Sequence, residues 1–281
     1  MGYKTILVHA DESRHTPKRM KLAARLAMEC DAHLIGVAAT ALPGTFYLPG
    51  VVGESAVTVT AYLDYLRERA DGTLMEFESI AQKMGLSSYE KRIVNDEAGA
   101  GLCLQARYSD LVVVGQTDPE EALPALRAGF PEYVVMNSGR PVLVVPYAGE
   151  FEQLGKRVLV AWDASMEATR AVTAAIPFLR KSELVQVVVF DSKSRANAHG
   201  EQPGADIALW LSRHGIKVDV SQQTTANDID TGNALLSYAT DFNADMLVMG
   251  GYGHSRFREI LLGGVTKTVL ESMTVPVLMA H

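Results

Sequence analysis

Short apolar runs punctuate the chain, and between them apolar residues recur every three or four positions, the spacing of a helix face. In the first half, Thr5–His9, His33–Ala39, Ser88–Val94, Leu111–Gly115 and Val142–Val145 read as strands. Helical spacing covers Ser13–Cys30, with Pro17 in its first turn, and Val57–Met84, with a break expected at Asp71-Gly72. A helix near Ala98–Tyr108 and a short one after Pro131 complete that half. The second half follows the same plan. Its strands are Arg157–Ala161, Val185–Phe190, Lys217–Ser221, Met246–Met249 and Val277–Ala280. Its helices lie near Ser165–Leu179, Asp206–His214, Gly232–Phe242 and Val265–Met273. Runs such as Val158-Leu159-Val160 and Val187-Val188-Val189 are apolar throughout, as strands covered on both faces must be. Alternating strands and helices imply a parallel sheet with helices on both sides.

The shared plan is an internal repeat. Lys4-Thr5-Ile6-Leu7-Val8-His9-Ala10-Asp11-Glu12-Ser13 returns as Lys156-Arg157-Val158-Leu159-Val160-Ala161-Trp162-Asp163-Ala164-Ser165, an offset of 152 from Asp11 to Asp163. Ser109-Asp110-Leu111-Val112-Val113-Val114-Gly115 returns as Ala244-Asp245-Met246-Leu247-Val248-Met249-Gly250, now at offset 135. Arg140-Pro141-Val142-Leu143 matches Val275-Pro276-Val277-Leu278 at the same 135. Anchors in one order at consistent offsets mark two copies of one unit. The drop from 152 to 135 makes the first copy 17 residues longer in its middle. Thr40–Ser55, with Pro43, Gly44, Pro49, Gly50 and Gly53, reads as an irregular loop that holds much of the excess.

At 281 residues, with 48% hydrophobic and 21% charged, the chain can bury two ordinary cores. A formal net charge of −7 argues against nucleic acid or an anionic membrane surface as a partner. Cys30 and Cys103 sit apart in apolar helical stretches, which suits buried thiols in a reducing compartment. The chain starts straight into a strand with no signal-like segment, and no apolar run could span a bilayer, so a cytoplasmic location is expected. Its histidines show no metal-ligand spacing, and no metal site is expected. Neither GxSxG, GxxxxGK[ST], HExxH nor GxGxxG after a first strand occurs, so no catalytic residue is assigned and any ATP hydrolysis would be slow.

The most distinctive stretch begins at the apolar run Asp245–Met249 and breaks into Gly250-Gly251-Tyr252-Gly253-His254-Ser255. It continues to Gly263-Gly264-Val265-Thr266, where a helix begins. A strand, a glycine loop and a helix N-terminus together suit an anion, because glycines let backbone approach a ligand and free N–H groups point at it. His254, Arg256, Arg258 and Lys267 place positive charge around the loop. The alternative is a tight strand-to-helix connection whose glycines only make turns.

These features resemble the universal stress protein family in its tandem form, over nearly the whole chain. The resemblance is carried by Asp11 and Asp163 after each first strand, the apolar-Gly end of each fourth strand, and the closing Pro-Val-Leu. Above all it is carried by Gly250-x2-Gly253-x9-Gly263, which is similar to the family's nucleotide loop. It implies an α/β fold of two repeated doubly wound five-stranded parallel sheets of order 3-2-1-4-5, Rossmann-like, in domains 1–147 and 156–281. A ligand is then expected at the switch point between the first and fourth strands. The implied cofactor is ATP or another adenine nucleotide, with or without Mg. Ala161 and Asp163 would border its adenine and ribose end, Val189 would pack on the base, and Met249 would cover it. Gly250 and Gly253 would let the loop follow the phosphates beside His254, while Gly263, Gly264, Val265 and Thr266 complete the cradle. Gly264 stands where nucleotide-binding members carry Ser or Thr, so a hydroxyl is missing there, and Thr266 offers one two residues on.

The first copy departs further. At offset 135, Gly253 becomes Asp118, Gly263 becomes Ala128, Val265 becomes Phe130 and Thr266 becomes Pro131. Asp118, Glu120 and Glu121 put acid where phosphate would lie, and Pro131 removes a donor from the helix start. That copy is expected to be structural or to bind something else. Asp11 there reads as a helix cap, while Asp163 divides between cap and ligand roles. The leading function is a stress-response protein binding ATP, ADP or AMP in its C-terminal domain, regulatory rather than catalytic. The alternatives are a nucleotide-independent interaction scaffold of the same fold, and an ATP-using enzyme with a substrate under the Thr40–Ser55 loop. Pairing of the exposed strands Pro141–Val145 and Pro276–Ala280 would make the chain a pseudo-dimer, and a homodimer stays open.

Overall fold

The computed structural model describes residues 2–41, 56–121, 129–190, 202–225, 230–252 and 264–281. The chain divides into two compact units, Gly2–Arg140 and Pro141–His281. In the first, β1 (Thr5–His9), α1 (Thr16–Cys30), β2 (His33–Ala39), α2 (Ala56–Lys83), β3 (Tyr89–Val94), α3 (Ala98–Ala106), β4 (Leu111–Gly115) and α4 (Phe130–Asn137) follow one another. The strands lie parallel in the order β3-β2-β1-β4, with Ile6 opposite both Leu34 and Leu111. Ile6, Leu7, Val8, Leu111, Val112, Val113 and Val114 are fully buried, which is why these strands read as unbroken apolar runs.

The second unit holds β5 (Val142–Val145), β6 (Arg157–Ala161), α5 (Met166–Leu179), β7 (Leu184–Phe190), α6 (Ala205–Arg213) and β8 (Val218–Gln223). It ends with α7 (Thr231–Asp241), β9 (Met246–Gly250), α8 (Val265–Ser272) and β10 (Val277–Ala280). The strands of the second repeat run parallel in the order β8-β7-β6-β9-β10, the 3-2-1-4-5 arrangement. β5, the last strand of the first repeat by sequence, lies antiparallel to β10, pairing Val144 with Val277 and Leu143 with Leu278.

Two details position the site. Before β4, Asp110 accepts hydrogen bonds from the N–H groups of Lys4 (2.7 Å) and Thr5 (2.9 Å). Its repeat counterpart Asp245 accepts from Gly155 (3.0 Å), Lys156 (2.8 Å) and Arg157 (3.2 Å). Each aspartate ties the start of the repeat's fourth strand to the start of its first, so the two strands run level. Their C-terminal ends, where the order reverses direction, therefore open together.

α2 corrects one expectation. It runs unbroken through Asp71-Gly72 for 28 residues. Its inner face buries Ala70, Leu74, Phe77, Ile80 and Ala81, and Phe77 lies flat against Gly36 of β2. Gly72 has nothing within 4 Å of where a Cβ would stand. A single glycine there costs the helix about 1 kcal/mol, far less than the burial of that face returns.

Candidate functional site

In the second unit the ends of β6 and β9 lie side by side, with Ala161, Met249 and Gly250 on those strand ends and Asp163 just after β6. Gly250 closes β9, paired with Ala280. A Cβ at Gly250 would sit 2.6 Å from the backbone nitrogen of Ala168 and 2.9 Å from the carbonyl carbon of Glu167, so only glycine lets β9 meet the first turn of α5. Asp163 follows β6. Its Oδ1 accepts from the Ser165 N–H (3.0 Å) and hydroxyl (2.6 Å), and Ser165 Oγ in turn caps α5 by accepting from Ala168 N–H (3.1 Å). One Asp163 oxygen is thus committed to the turn that starts α5. Ala161 is half-buried on β6, opposite Val188. Met249 is 5% exposed and Val189 wholly buried. Val189 points to the start of α6, where a side chain on Gly204 would come within 3.3 Å of its Cγ2.

The beginning of the glycine loop is pinned. Gly251 N–H donates to the Ala280 carbonyl (2.9 Å), and His281 Nδ1 lies 3.0 Å from the Gly251 carbonyl. Tyr252 takes a left-handed φ of 57°, and its N–H donates to Thr266 Oγ1 at 3.1 Å. Thr266, 3% exposed, thereby anchors the loop with the hydroxyl that the sequence offered to a phosphate. Gly264 is the N-cap of α8 with extended backbone, and among the described residues no side chain caps that helix. Its first turn, Val265 and Thr266, keeps donors directed out of the helix end. Gly253, His254 and Gly263, with Arg256 and Arg258, fall outside the described residues.

The first unit builds the same corner from different parts. Asp11 Oδ1 accepts from the Ser13 N–H (3.1 Å), as Asp163 does from Ser165, and also takes a short hydrogen bond from Thr16. Here, however, a buried cation fills the crevice. Arg19, 2% exposed, reaches Asp11 Oδ1 (2.8 Å) and the His9 carbonyl (2.9 and 3.0 Å). Its guanidinium lies directly over Gly115, the counterpart of Gly250. Burial works to raise the Asp11 pKa, but the Arg19 charge, the neighbouring His9 ring and the bonds from Thr16 and Arg19 hold it well below the carboxylate range.

Asp118, the counterpart of Gly253, is 3% exposed and fully engaged. Its Oδ2 meets Arg14 Nη2 (2.6 Å) and His15 Nε2 (2.8 Å), and its Oδ1 accepts from Glu120 N–H (2.9 Å). Burial opposes ionisation, but the His15 bond, the Glu120 N–H and Arg14 outweigh it and lower the pKa to about 2. Glu121 accepts from the Ser13 hydroxyl and the Arg14 N–H, both at 2.8 Å. The acids expected to repel phosphate are therefore also the ties between β4's loop and the start of α1. His15, Asp118 and Glu121 place ligand-type atoms within 4.8 Å of one another. A metal ion there would have to displace the Arg14 guanidinium from Asp118.

Around this corner lies a cavity of about 690 Å³, walled by β1, β2 and β4 at their C-terminal ends and by α2, α3 and α4. Nothing in the spacing of residues foretells its size. Nor does the sequence single out Arg19, which stands among Lys18, Met20 and Lys21; its one distinguishing mark is that the repeat counterpart is Ala171. Arg14 and His15 read only as part of the helical stretch Ser13–Cys30, because their partner lies 104 and 103 positions away. Cys103, buried, has its thiol pushed up to about 11 by desolvation, with nearby Arg107 opposing, so it is a packing group with little thiolate at neutral pH.

The Universal stress protein family model matches twice, over residues 2–146 and 155–281. A curated universal stress protein of Synechocystis sp. is 26% identical over 147 residues, covering 52% of this chain and 49% of that protein, so the chain spans about half the length of that relative. Among solved structures, a universal stress protein from Archaeoglobus fulgidus superposes with a TM-score of 0.77 at 19% identity, over 98% of this chain and 95% of the other. A protein of unknown function from Pseudomonas aeruginosa gives 0.58 at 13% identity, over 98% and 92%. With both halves matched and the strand order in place, the chain belongs to the universal stress protein family, carrying two copies of its domain in tandem.

Proposed function

We propose that this protein binds one adenine nucleotide, ATP, ADP or AMP, at the ends of β6 and β9, and that binding serves regulation rather than turnover. The observation that carries the reading is Gly250. Its backbone contact with the first turn of α5 sets the end of β9 beside the turn of Asp163, at the switch point of the sheet. The N-terminus of α8, capped by no side chain among the described residues, supports the phosphate end of the same reading. Met249, at the end of β9, would cover the nucleotide. Val189 contributes by fixing the start of α6, and Thr266 by holding Tyr252. Gly253, His254 and Gly263 complete the loop by sequence.

The domains are read as 1–147 and 156–281, so that β5 belongs to the first by sequence while it pairs with β10 in the second compact unit. That antiparallel pairing supports an intrachain pseudo-dimer. Two free cysteines and the absence, among described residues, of a helix long and apolar enough to cross a membrane suit a cytoplasmic protein. Isothermal titration of nucleotide-stripped protein with ATP, ADP and AMP tests the central reading. Saturation near one site per chain is expected, with at least a tenfold loss of affinity in Gly253→Asp. Absence of heat with all three nucleotides from folded protein would hand the fold to the scaffold alternative.

A further inference from the structure

β8 leaves one side of the second unit's sheet open. It pairs with β7, Val218 opposite Val185 and Gln223 opposite Phe190, and no strand lies on its other side among the described residues. α6 runs back along it. A side chain on Gly204 would come within 2.7 Å of Val220 and 3.3 Å of Val189, so the helix starts over β7 and β8 together. At its other end Ile216 N–H donates to the Leu211 carbonyl at 3.2 Å. Ala208 and Leu209 therefore stand level with Val218. Ala208, Leu209 and Ser212 line a groove along the open edge with residues 215–219. Leu209 is 52% exposed and Val220 39%, so apolar surface is presented there.

The equivalent edge of the first unit is guarded. β3 carries Glu90, Lys91 and Arg92 in a row, with Lys91 held by Glu78 at 2.5 Å and Arg92 by Glu90. Such charge on an edge strand keeps a further strand away. β8 has a single charge, Asp219, with Lys217 just before the strand. Both are exposed, and neither side chain makes an ion pair among the described residues.

The segment Ile216-Lys217-Val218-Asp219-Val220 is complementary to itself when reversed. Laid antiparallel on a second copy, with a two-fold axis at Val218, it sets Val218 against Val218 and Ile216 against Val220. Lys217 then faces Asp219 of the second copy, and the symmetry makes that pair twice. Moving the axis to Asp219 or to Lys217 would set like charge against like, so the register is specified. The same axis lays the two α6 helices antiparallel over the seam. With strands about 4.8 Å apart and each helix over β7 and β8, the helices come about 10 Å apart, a packing distance. Ala208 and Ser212 are small enough to admit that approach, and Leu209 of each copy covers the seam.

We propose that β8 is a self-association edge, through which two copies of this chain join by antiparallel β8 strands with α6 paired above them. The dimer makes no use of the nucleotide loop.

The test is sedimentation velocity on the full chain, over a concentration series reaching about 100 µM, which covers weak interfaces. The parent should shift from monomer to dimer within the series. Asp219→Lys and Lys217→Asp, both exposed changes, should each weaken association at least about tenfold, since each sets like charges together on both sides of the axis. Far-UV circular dichroism checks that both variants stay folded. An equal mixture of the two single variants restores opposite charges across the seam, and should associate within about threefold of the parent. Leu209→Lys should weaken the dimer as well. A parent that stays monomeric, a dimer indifferent to Asp219→Lys, or a mixture no more associated than its components would overturn the proposal.

Discussion

Gly115 and Gly250 hold matched positions in the two repeats, yet different neighbours require them. Gly250 faces the backbone of α5, and Gly115 faces the guanidinium of Arg19. Arg19 is the costlier partner to lose, because the Asp11 carboxylate, only 21% exposed, would lose its guanidinium. Arg19→Met should therefore cost about 3–5 kcal/mol in urea unfolding. Adding Asp11→Asn should restore part of it, since removing both charges spares the penalty of the survivor. A loss under 1 kcal/mol in the single variant would show that solvent screens the pair. In the sequence Asp118 and Pro131 were legible as departures, since each replaces a residue of a spaced motif. Arg19 was not, since its meaning lies in a contact with Asp11 and Gly115 that no local spacing encodes.

Among the elements, α2 shows where periodicity outweighs punctuation. Asp71-Gly72 reads as a stop, but the buried row Ala70, Leu74, Phe77, Ala81 passes through it without a change of phase. Because the helix is continuous and Gly72 is free of neighbours, Gly72→Ala should raise stability by about 0.5–1 kcal/mol, measured as a shift in the denaturation midpoint. A destabilised variant would mean the helix bends there. Strands were the more readable elements. Fully buried parallel strands have no polar face, so their limits coincide with the limits of the apolar runs. The role of Asp110 and Asp245 escaped notice for the opposite reason. As repeat anchors they were obvious, but their backbone partners lie 106 and 89 residues back in the chain.

Over the whole molecule, the two units should differ in their response to acid. The Asp118 pKa falls from 3.8 to about 2 on folding. Its contribution to stability is complete above the unfolded value and disappears as the pH drops from about 4 through 2. In the second unit Asp245 is shifted the other way, since burial outweighs the three backbone N–H groups that face it, and its protonation does not drive acid unfolding. Asp118→Asn should lower stability at pH 6, with the gap from the parent closing as the pH falls below 4, followed by denaturant titration at each pH. A gap that is constant with pH would assign Asp118 a purely steric role.

The crevice filled by Arg19 also constrains the history open to the first repeat. Restoring a glycine at Asp118 alone would strand Arg14 and His15 without their shared acid, while the guanidinium of Arg19 still covered Gly115. Removing Arg19 alone would leave Asp11 uncompensated. Each step back toward a nucleotide loop passes through a less stable protein, so selection would resist the return. With the cation in the crevice, no single substitution turns the corner of one half into that of the other.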